Sequence, residues 1–561
     1  MLDIQNIQNP ILPGFNPDPS IVRVGDDYYI ATSTFEWYPG VQIHHSRDLA
    51  NWQLAARPLT RASQLDMRGN PDSGGVWAPC LSFSDGLFWL IYTDTKRRDG
   101  AWKDSHNYLV TAPTIEGPWS EPVYLNSSGF DPSLFHDEDG RKWLVNMIWD
   151  HRQQGGDKFG GIVCQEYSVA EQRLVGEIRN IYRGTDHKLT EGPHIYRKDG
   201  YYWLLTAEGG TGYEHAATMA RSKDLFGPYE TDPAKHLLTS KDAPEAYLQR
   251  AGHADIVETQ NGEFFMVHLC SRPLDATRGS APGRVVGIHE EDARRSPLGR
   301  ETAIQKLVWD KGEFPRLAHG GCVPADAAPA PGLPHAPVAP IVTRHDFAPG
   351  PLPVEFQWLR TPEPDRLFSL DARPGALRIF GRAAPGSTFE HALVARRQVD
   401  IAYSAETEID FQPESYQQFA GLISWYNGFK FHYLAVSATD NGARELRVLS
   451  CPADWPMLRV EQPLAEPVAL PATGTIRLGC DVDGMVLRFR YAIGNGEWTD
   501  LGVELDQSAI SCEAGNGPGN NFTGAFIGMC AHDTSGRGQH ADFLNFTYQP
   551  VPSGPSNSGA A

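Results

Sequence analysis

At 561 residues the chain is too long for a single hydrophobic core, and two or three domains are expected. Its 49 Lys and Arg against 69 Asp and Glu leave a net charge of −20, which opposes association with nucleic acid or anionic membranes and favours a neutral or small substrate. With 11% aromatic residues, 55 Gly and 43 Pro, the composition suits strands and turns better than helices.

The eight cysteines are scattered, without a CxxC pair or a dense cluster, so neither a zinc site nor a disulfide scaffold is indicated and reduced, buried thiols are expected. The opening MLDIQNIQNP has no basic segment followed by an apolar one, and no apolar run approaches a membrane span. A soluble, cytoplasmic protein is expected.

The first informative stretch is FNPDPS, residues 15–20, in which Asp18 is held between Pro17 and Pro19 at the entrance to a strand. It opens a pattern that occurs five times: DPSIVRVGDDYYIATS from Asp18, APCLSFSDGLFWLIYT from Ala78, DPSLFHDEDGRKWLVNM from Asp131, GPHIYRKDGYYWLLTA from Gly192 and HADIVETQNGEFFMVHL from His253. Turns built on Asp-Gly, Asn-Gly or Gly-Asp favour positive φ, so each copy predicts an antiparallel hairpin. Measured from Pro19, Pro79, Pro132, Pro193 and Ala254 the spacings are 60, 53, 61 and 61 residues, about one four-stranded blade each. Five such units closed around an axis predict an all-β, five-bladed propeller over 1–321.

If each copy begins the innermost strand of its blade, the copy starts converge on the axis. Asp18, Asp131 and Glu191 (beside Gly192), Trp77 (beside Ala78) and His253 then meet at one end of a channel. Any one of these residues fits an ordinary turn. Three carboxylates gathered in one place are costly to bury unless protonated, paired or solvated, and so point to function.

Residues 322–340, CVPADAAPAPGLPHAPVAP, read as a semi-rigid linker. Short alternating runs from ALRIFGR to ADFLNFTYQ follow at intervals typical of a β-sandwich, predicted over 341–550, jelly-roll-like, with a disordered tail at 551–561. Within it, GNGPGNNFTGAF at 515–526 ends in Phe522, which suits either a core position or a reach toward the first domain.

The stretches NPDPS (16–20), STFEWYPGVQIHHSRDL (33–49), GVWAP (75–79), GFDPSLF (129–135), TEGPHIY (190–196), GHADIVET (252–259), LGRET (298–302) and FTGAFIGM (522–529) resemble, in that order, the β-xylosidases of glycoside hydrolase family 43 that join a propeller to a β-sandwich. The resemblance implies Asp18 as general base, Glu191 as general acid and Asp131 as an ionised carboxylate that tunes and orients the acid. Inverting hydrolysis needs a base and an acid on opposite sides of the sugar, roughly 6.5–9.5 Å apart to admit water. It further implies that Arg300 holds sugar hydroxyls, that Phe35, Trp77, Trp149 and Phe522 wall the pentose, and that His253 lies at the axis. No cofactor is required on this reading, although a calcium ion or a water cluster beside His253 is an option the resemblance raises. The partner is a xylooligosaccharide, and a homo-oligomer, dimer or tetramer, is implied.

The implied activity is an exo-acting β-1,4-xylosidase with side action on α-L-arabinofuranosides. A mainly arabinofuranoside-cleaving enzyme and a non-catalytic carbohydrate-binding propeller are the alternatives. Invertase-like hydrolases share only the architecture, since their Trp-Met-Asn-Asp-Pro-Asn signature is absent.

Overall fold

In the computed structural model the described residues are 5–154, 157–275, 294–515 and 521–552. They form two compact units. The first holds the described residues up to 272 together with 300–339; the second holds those of 273–299 and from 340 onward. Regular structure is almost entirely strand, and no helix among the described residues is long and apolar enough to cross a membrane.

Five antiparallel four-stranded sheets make the first unit a five-bladed propeller, with Trp37–Tyr38 left out of the first sheet and Leu274–Asp275 and Arg294–Arg295 left out of the fifth; a short extra strand, Leu238–Thr239, joins the fourth sheet. The leading strands are Ser20–Val24, Gly75–Ser84, Ser133–His136, Glu191–Lys198 and Gln249–Glu258. Each pairs with the strand after it, as the repeat predicts. The turn chemistry explains the tight connections: Asp85 and Gly86 have φ of 54° and 74°, and Asp199 and Gly200 53° and 74°, both pairs in the left-handed region.

Apolar side chains fill the wedges between blades. Trp203, Leu205, Met219, Ile256, Met266 and Trp309 pack the fourth blade on the fifth. Near the axis the ties are polar. Ser20 Oγ donates to Asp255 Oδ2 at 3.0 Å and accepts from Leu81 N–H at 3.1 Å; Tyr196 Oη donates to Asp255 Oδ1 at 2.6 Å; Ser133 Oγ donates to the Pro193 carbonyl at 2.5 Å. Such buried polar links fix blade orientation, because an unpaired partner would carry its full desolvation cost.

The stretch expected to be a linker is largely built into the first unit. Ala327–Pro329 pairs antiparallel with Asn6–Gln8, and Ala328 packs with Ile7, Ile21 and Ile304. Asn9 exchanges hydrogen bonds with the Ile304 backbone at 2.8 and 2.9 Å, bringing the chain start onto the fifth blade. Proline and alanine content signals an extended backbone, yet an extended backbone also serves as an edge strand. The expected first-domain boundary is corrected in a second way, since the described residues of 273–299 belong to the second unit.

That unit is a β-sandwich. One sheet is centred on Ala402–Asp410 between His540–Pro550 and Ile476–Asp483; the other on Gln418–Asn427 between Lys430–Ala438 and Phe526–Asp533. Ala402–Asp410 alternates half-buried and buried residues, the period-two pattern of a strand with one face on the core. All eight cysteines are free, and all but the half-buried Cys322 are buried. Most of the expected tail, 553–561, lies outside the described residues.

Candidate active site

The five copy starts share one backbone state. Asp18, Ala78, Asp131, Gly192 and His253 have φ of 54°, 26°, 52°, 55° and 42°. Residues other than Gly, Asn and Asp seldom occupy this region. In the second, fourth and fifth blades the pairing register shifts at this place, between Trp77 and Cys80, between Glu191 and His194, and between Gly252 and Ala254. A bulge of this kind re-aims side chains at a strand end. Gly192 has a further reason to be glycine: a Cβ there would lie 3.0 Å from the His253 ring.

Asp18 is buried and fully engaged. Its Oδ2 accepts from Ser33 Oγ at 2.7 Å, and its Oδ1 accepts from Arg300 Nη1 at 3.0 Å. The same guanidinium donates to Thr211 Oγ1 at 3.1 Å, and the Thr211 carbonyl accepts from Arg250 Nη2 at 2.8 Å. An ion pair between two buried side chains supplies the partner that an anionic carboxylate needs away from water. His253 Nδ1 lies 3.9 Å from Asp18 Oδ1 and 4.0 Å from Asp131 Oδ2. Burial pushes this imidazole down to about 4, against the pull of Asp18, so it is neutral at physiological pH.

The other two carboxyls behave differently. Burial raises Asp131 well above the usual carboxylate range, and the negative charges of Glu191 and Asp18 raise it further, against the Gly192 N–H and Arg300. Glu191 is pushed up to about 7, first by burial and then by Asp18, with Arg300 and Lys103 pulling the other way. The sequence-based picture of a fully ionised Asp131 beside a protonated Glu191 is thereby modified. Near neutral pH the two groups hold a proton between them, while Asp18 faces a cation.

An aromatic wall adjoins the carboxyls. Trp77 stands edge-on to Phe130 at 5.4 Å, Phe130 lies 6.0 Å from Trp149, and Phe35 lies 6.1 Å from Trp77. Phe35 is almost wholly buried, with the Arg300 guanidinium 5.2 Å from its ring centre, and backs the arginine; Trp149 is half-exposed. Lys103 places Nζ 4.4 Å from the Trp149 ring centre and 5.3 Å from that of Trp77, and donates to the Arg98 carbonyl. Burial lowers this ammonium to about 8, against Asp99.

Three comparisons with known proteins, two of sequence and one of structure, complete the assignment. Residues 7–315 match the profile of Glycosyl hydrolases family 43, and residues 344–549 match that of the Beta xylosidase C-terminal Concanavalin A-like domain. The chain belongs to glycoside hydrolase family 43. A protein of Humicola insolens called Xylosidase/arabinosidase 43B is 53% identical over 97% of this chain and 98% of its own length. A Beta-xylosidase of Bacillus subtilis is 49% identical over 97% and 99%. The solved structure of a xylan beta-1,4-xylosidase from Bacillus Halodurans superposes with a TM-score of 0.91 at 50% identity, covering 97% of this chain and 100% of that one.

In this family 43 enzyme the first unit gathers Asp18, Asp131, Glu191, His253 and Arg300 into one cluster, with Phe35 against Arg300, Trp77 beside Phe35 and Trp149 on the adjoining aromatic wall. Phe522 belongs to the second unit, where it is half-buried. Lys103 and Phe130 had no readable signal, since WKDSHN looks like a solvated loop and Phe130 like core. An axial calcium fits poorly, because it needs six to eight oxygen ligands. Asp18 is committed to Ser33 and Arg300, and Asp255 to Ser20, Ile21 N–H and Tyr196. Burial alone would lower the neighbouring His194, but Asp255 at 3.6 Å and Cys80 raise it to about 9.

Lys103→Met tests the electrostatics directly. The ammonium holds Glu191 down, so its loss is expected to move the alkaline limb of the kcat/KM profile for 4-nitrophenyl glycosides to higher pH; an unmoved limb would separate Lys103 from the acid.

Proposed function

We propose that this hydrolase is an exo-acting, inverting β-1,4-xylosidase that releases xylose from the non-reducing ends of short xylooligosaccharides, with secondary action on α-L-arabinofuranosides. The observation that carries the reading is the unequal environment of its carboxyls: Asp18 paired with Arg300, Glu191 raised to about 7. Two carboxyls in such unlike surroundings, one ion-paired and one raised, suit a base and an acid.

In the proposed reaction Asp18 accepts a proton from water as the water oxygen bonds to the anomeric carbon. The glycosidic carbon–oxygen bond breaks, and Glu191 gives its proton to the departing oxygen. Asp131 shares a proton with the acid. Arg300 holds sugar hydroxyls, and the Trp77, Phe130 and Trp149 wall suits a pentose, which lacks an exocyclic hydroxymethyl group.

Proton NMR of xylobiose hydrolysis tests the stereochemistry. The first xylose released is expected to be the α-anomer; initial β-xylose would overturn inversion. The name of the Humicola insolens relative favours keeping arabinofuranoside cleavage as a second reading. Relative kcat/KM on 4-nitrophenyl β-D-xyloside and α-L-arabinofuranoside decides it. No metal enters the proposed chemistry, so dialysis against EDTA is expected to leave the rate unchanged. A cytoplasmic location fits an enzyme that meets transported oligomers rather than polymeric xylan. A dimer or tetramer is the proposed assembly, checked by light scattering.

A further inference from the structure

Arg300 reaches Asp18 from an unusual piece of chain. The second strand of the fifth blade ends at Ser271 and the third begins at Glu301, one residue after the arginine. The described residues between them, 273–275 and 294–299, belong to the second unit, whereas Arg300 belongs to the first. The connection is covalent: Gly299 is bonded to Arg300.

Within the second unit the last four residues of this segment are gripped at three points. Glu513, buried, accepts from Ser296 N–H at 2.7 Å through Oε2 and from Ser296 Oγ at 2.8 Å through Oε1. The Pro297 carbonyl accepts from Ala525 N–H at 2.8 Å. Gly299, with φ +74°, lies so close to Thr523 that a Cβ would stand 2.2 Å from its carbonyl oxygen. Thr523 is itself fixed, its N–H donating to Tyr426 Oη at 3.1 Å.

Two donors on one residue, a backbone N–H and a hydroxyl, are matched by a group with two acceptor oxygens. Glutamine offers one acceptor and turns its amide N–H₂ against the other donor. The carboxylate bonds are charge-assisted, and the pyrrolidine of Pro297 removes one torsion from the four-residue path to Arg300. A displacement at Ser296 is therefore carried along the chain instead of being absorbed by it.

We infer that Glu513 is a positioning residue for catalysis, which sets the backbone from which Arg300 extends to Asp18. The inference rests on the hydrolytic reading of the site and assigns the sandwich domain a part in the geometry of the reaction. A displacement of about 1 Å in a positioning group costs on the order of 10²-fold in rate, and a weakened clamp costs a fraction of that.

The test is a double-mutant cycle on 2,4-dinitrophenyl β-D-xyloside, with Glu513→Gln combined with Arg300→Ala. Glu513→Gln is expected to lower kcat/KM about tenfold when Arg300 is present, and less than about twofold when Arg300 is alanine, because no guanidinium remains to be misplaced. An equal loss in both backgrounds would make Glu513 a structural residue only and overturn the inference. Wild-type rates in Glu513→Gln would overturn it as well. Should Glu513→Gln fail to fold by circular dichroism, Ser296→Ala carries the same cycle with the same outcomes. An inactive wild type would instead defeat the hydrolytic reading.

Discussion

Glu191→Gln is expected to lower kcat on xylobiose by about 10²–10⁴-fold, the usual worth of a positioned proton donor. The loss should shrink on 2,4-dinitrophenyl xyloside, whose leaving group needs no protonation. The amide is nearly isosteric with the protonated acid and uncharged like it, so stability changes little. The pH dependence gives a second signature. A donor works only while protonated, so the wild-type rate falls as pH rises through about 7, and Glu191→Gln should lose that alkaline limb. Unchanged turnover of xylobiose would remove Glu191 from the mechanism. A carbohydrate-binding propeller without catalysis would bind xylobiose and show no wild-type turnover at all.

Asp18→Asn is expected to lower kcat by a similar 10²–10⁴-fold, but on every substrate alike, because water must be deprotonated whatever the leaving group. Asparagine tolerates the positive φ of 54° and keeps an oxygen to accept from Ser33, so the substitution isolates the charge. It also removes one hydrogen-bonded anion from the buried Arg300, at a cost of about 3 kcal/mol, visible as a lowered midpoint in urea. Activity is therefore to be compared well below the unfolding transition. A loss confined to poor leaving groups would exchange the roles assigned to Asp18 and Glu191.

The pair of variants separates two carboxyls that look alike in sequence. DPS at 18 and DPS at 131 are identical triplets, and both aspartates take the same left-handed backbone state. They differ in what faces them. Arg300 donates to Asp18 from a segment 282 residues away, while Asp131 is raised by burial, Glu191 and Asp18 against the weaker pull of the Gly192 N–H and Arg300. Nothing local to either triplet encodes that difference.

The linear chain was sufficient for the repeat, and with it for the propeller. A hairpin is a local structure set by turn residues and strand periodicity, and both are written in consecutive residues. Five copies at similar spacing then leave few ways to hide their edges, so the axis and the residues on it follow. The sandwich was legible on the same grounds. The 322–340 stretch was misread because its Pro and Ala content specifies an extended backbone but not the neighbour, and the neighbour is Asn6–Gln8 at the other end of the first unit.

Tertiary structure alone decided the chemistry's supporting cast. Lys103, Phe130, Thr211, Arg250 and Glu513 carry no signature, since each is an ordinary residue until distant segments surround it. Protonation states were likewise beyond the sequence, because burial and the sum of nearby charges set them. Asp18, Asp131 and Glu191 could be named from the order of residues; the raised state of Asp131 and Glu191 depended on burial and on the charges gathered around them.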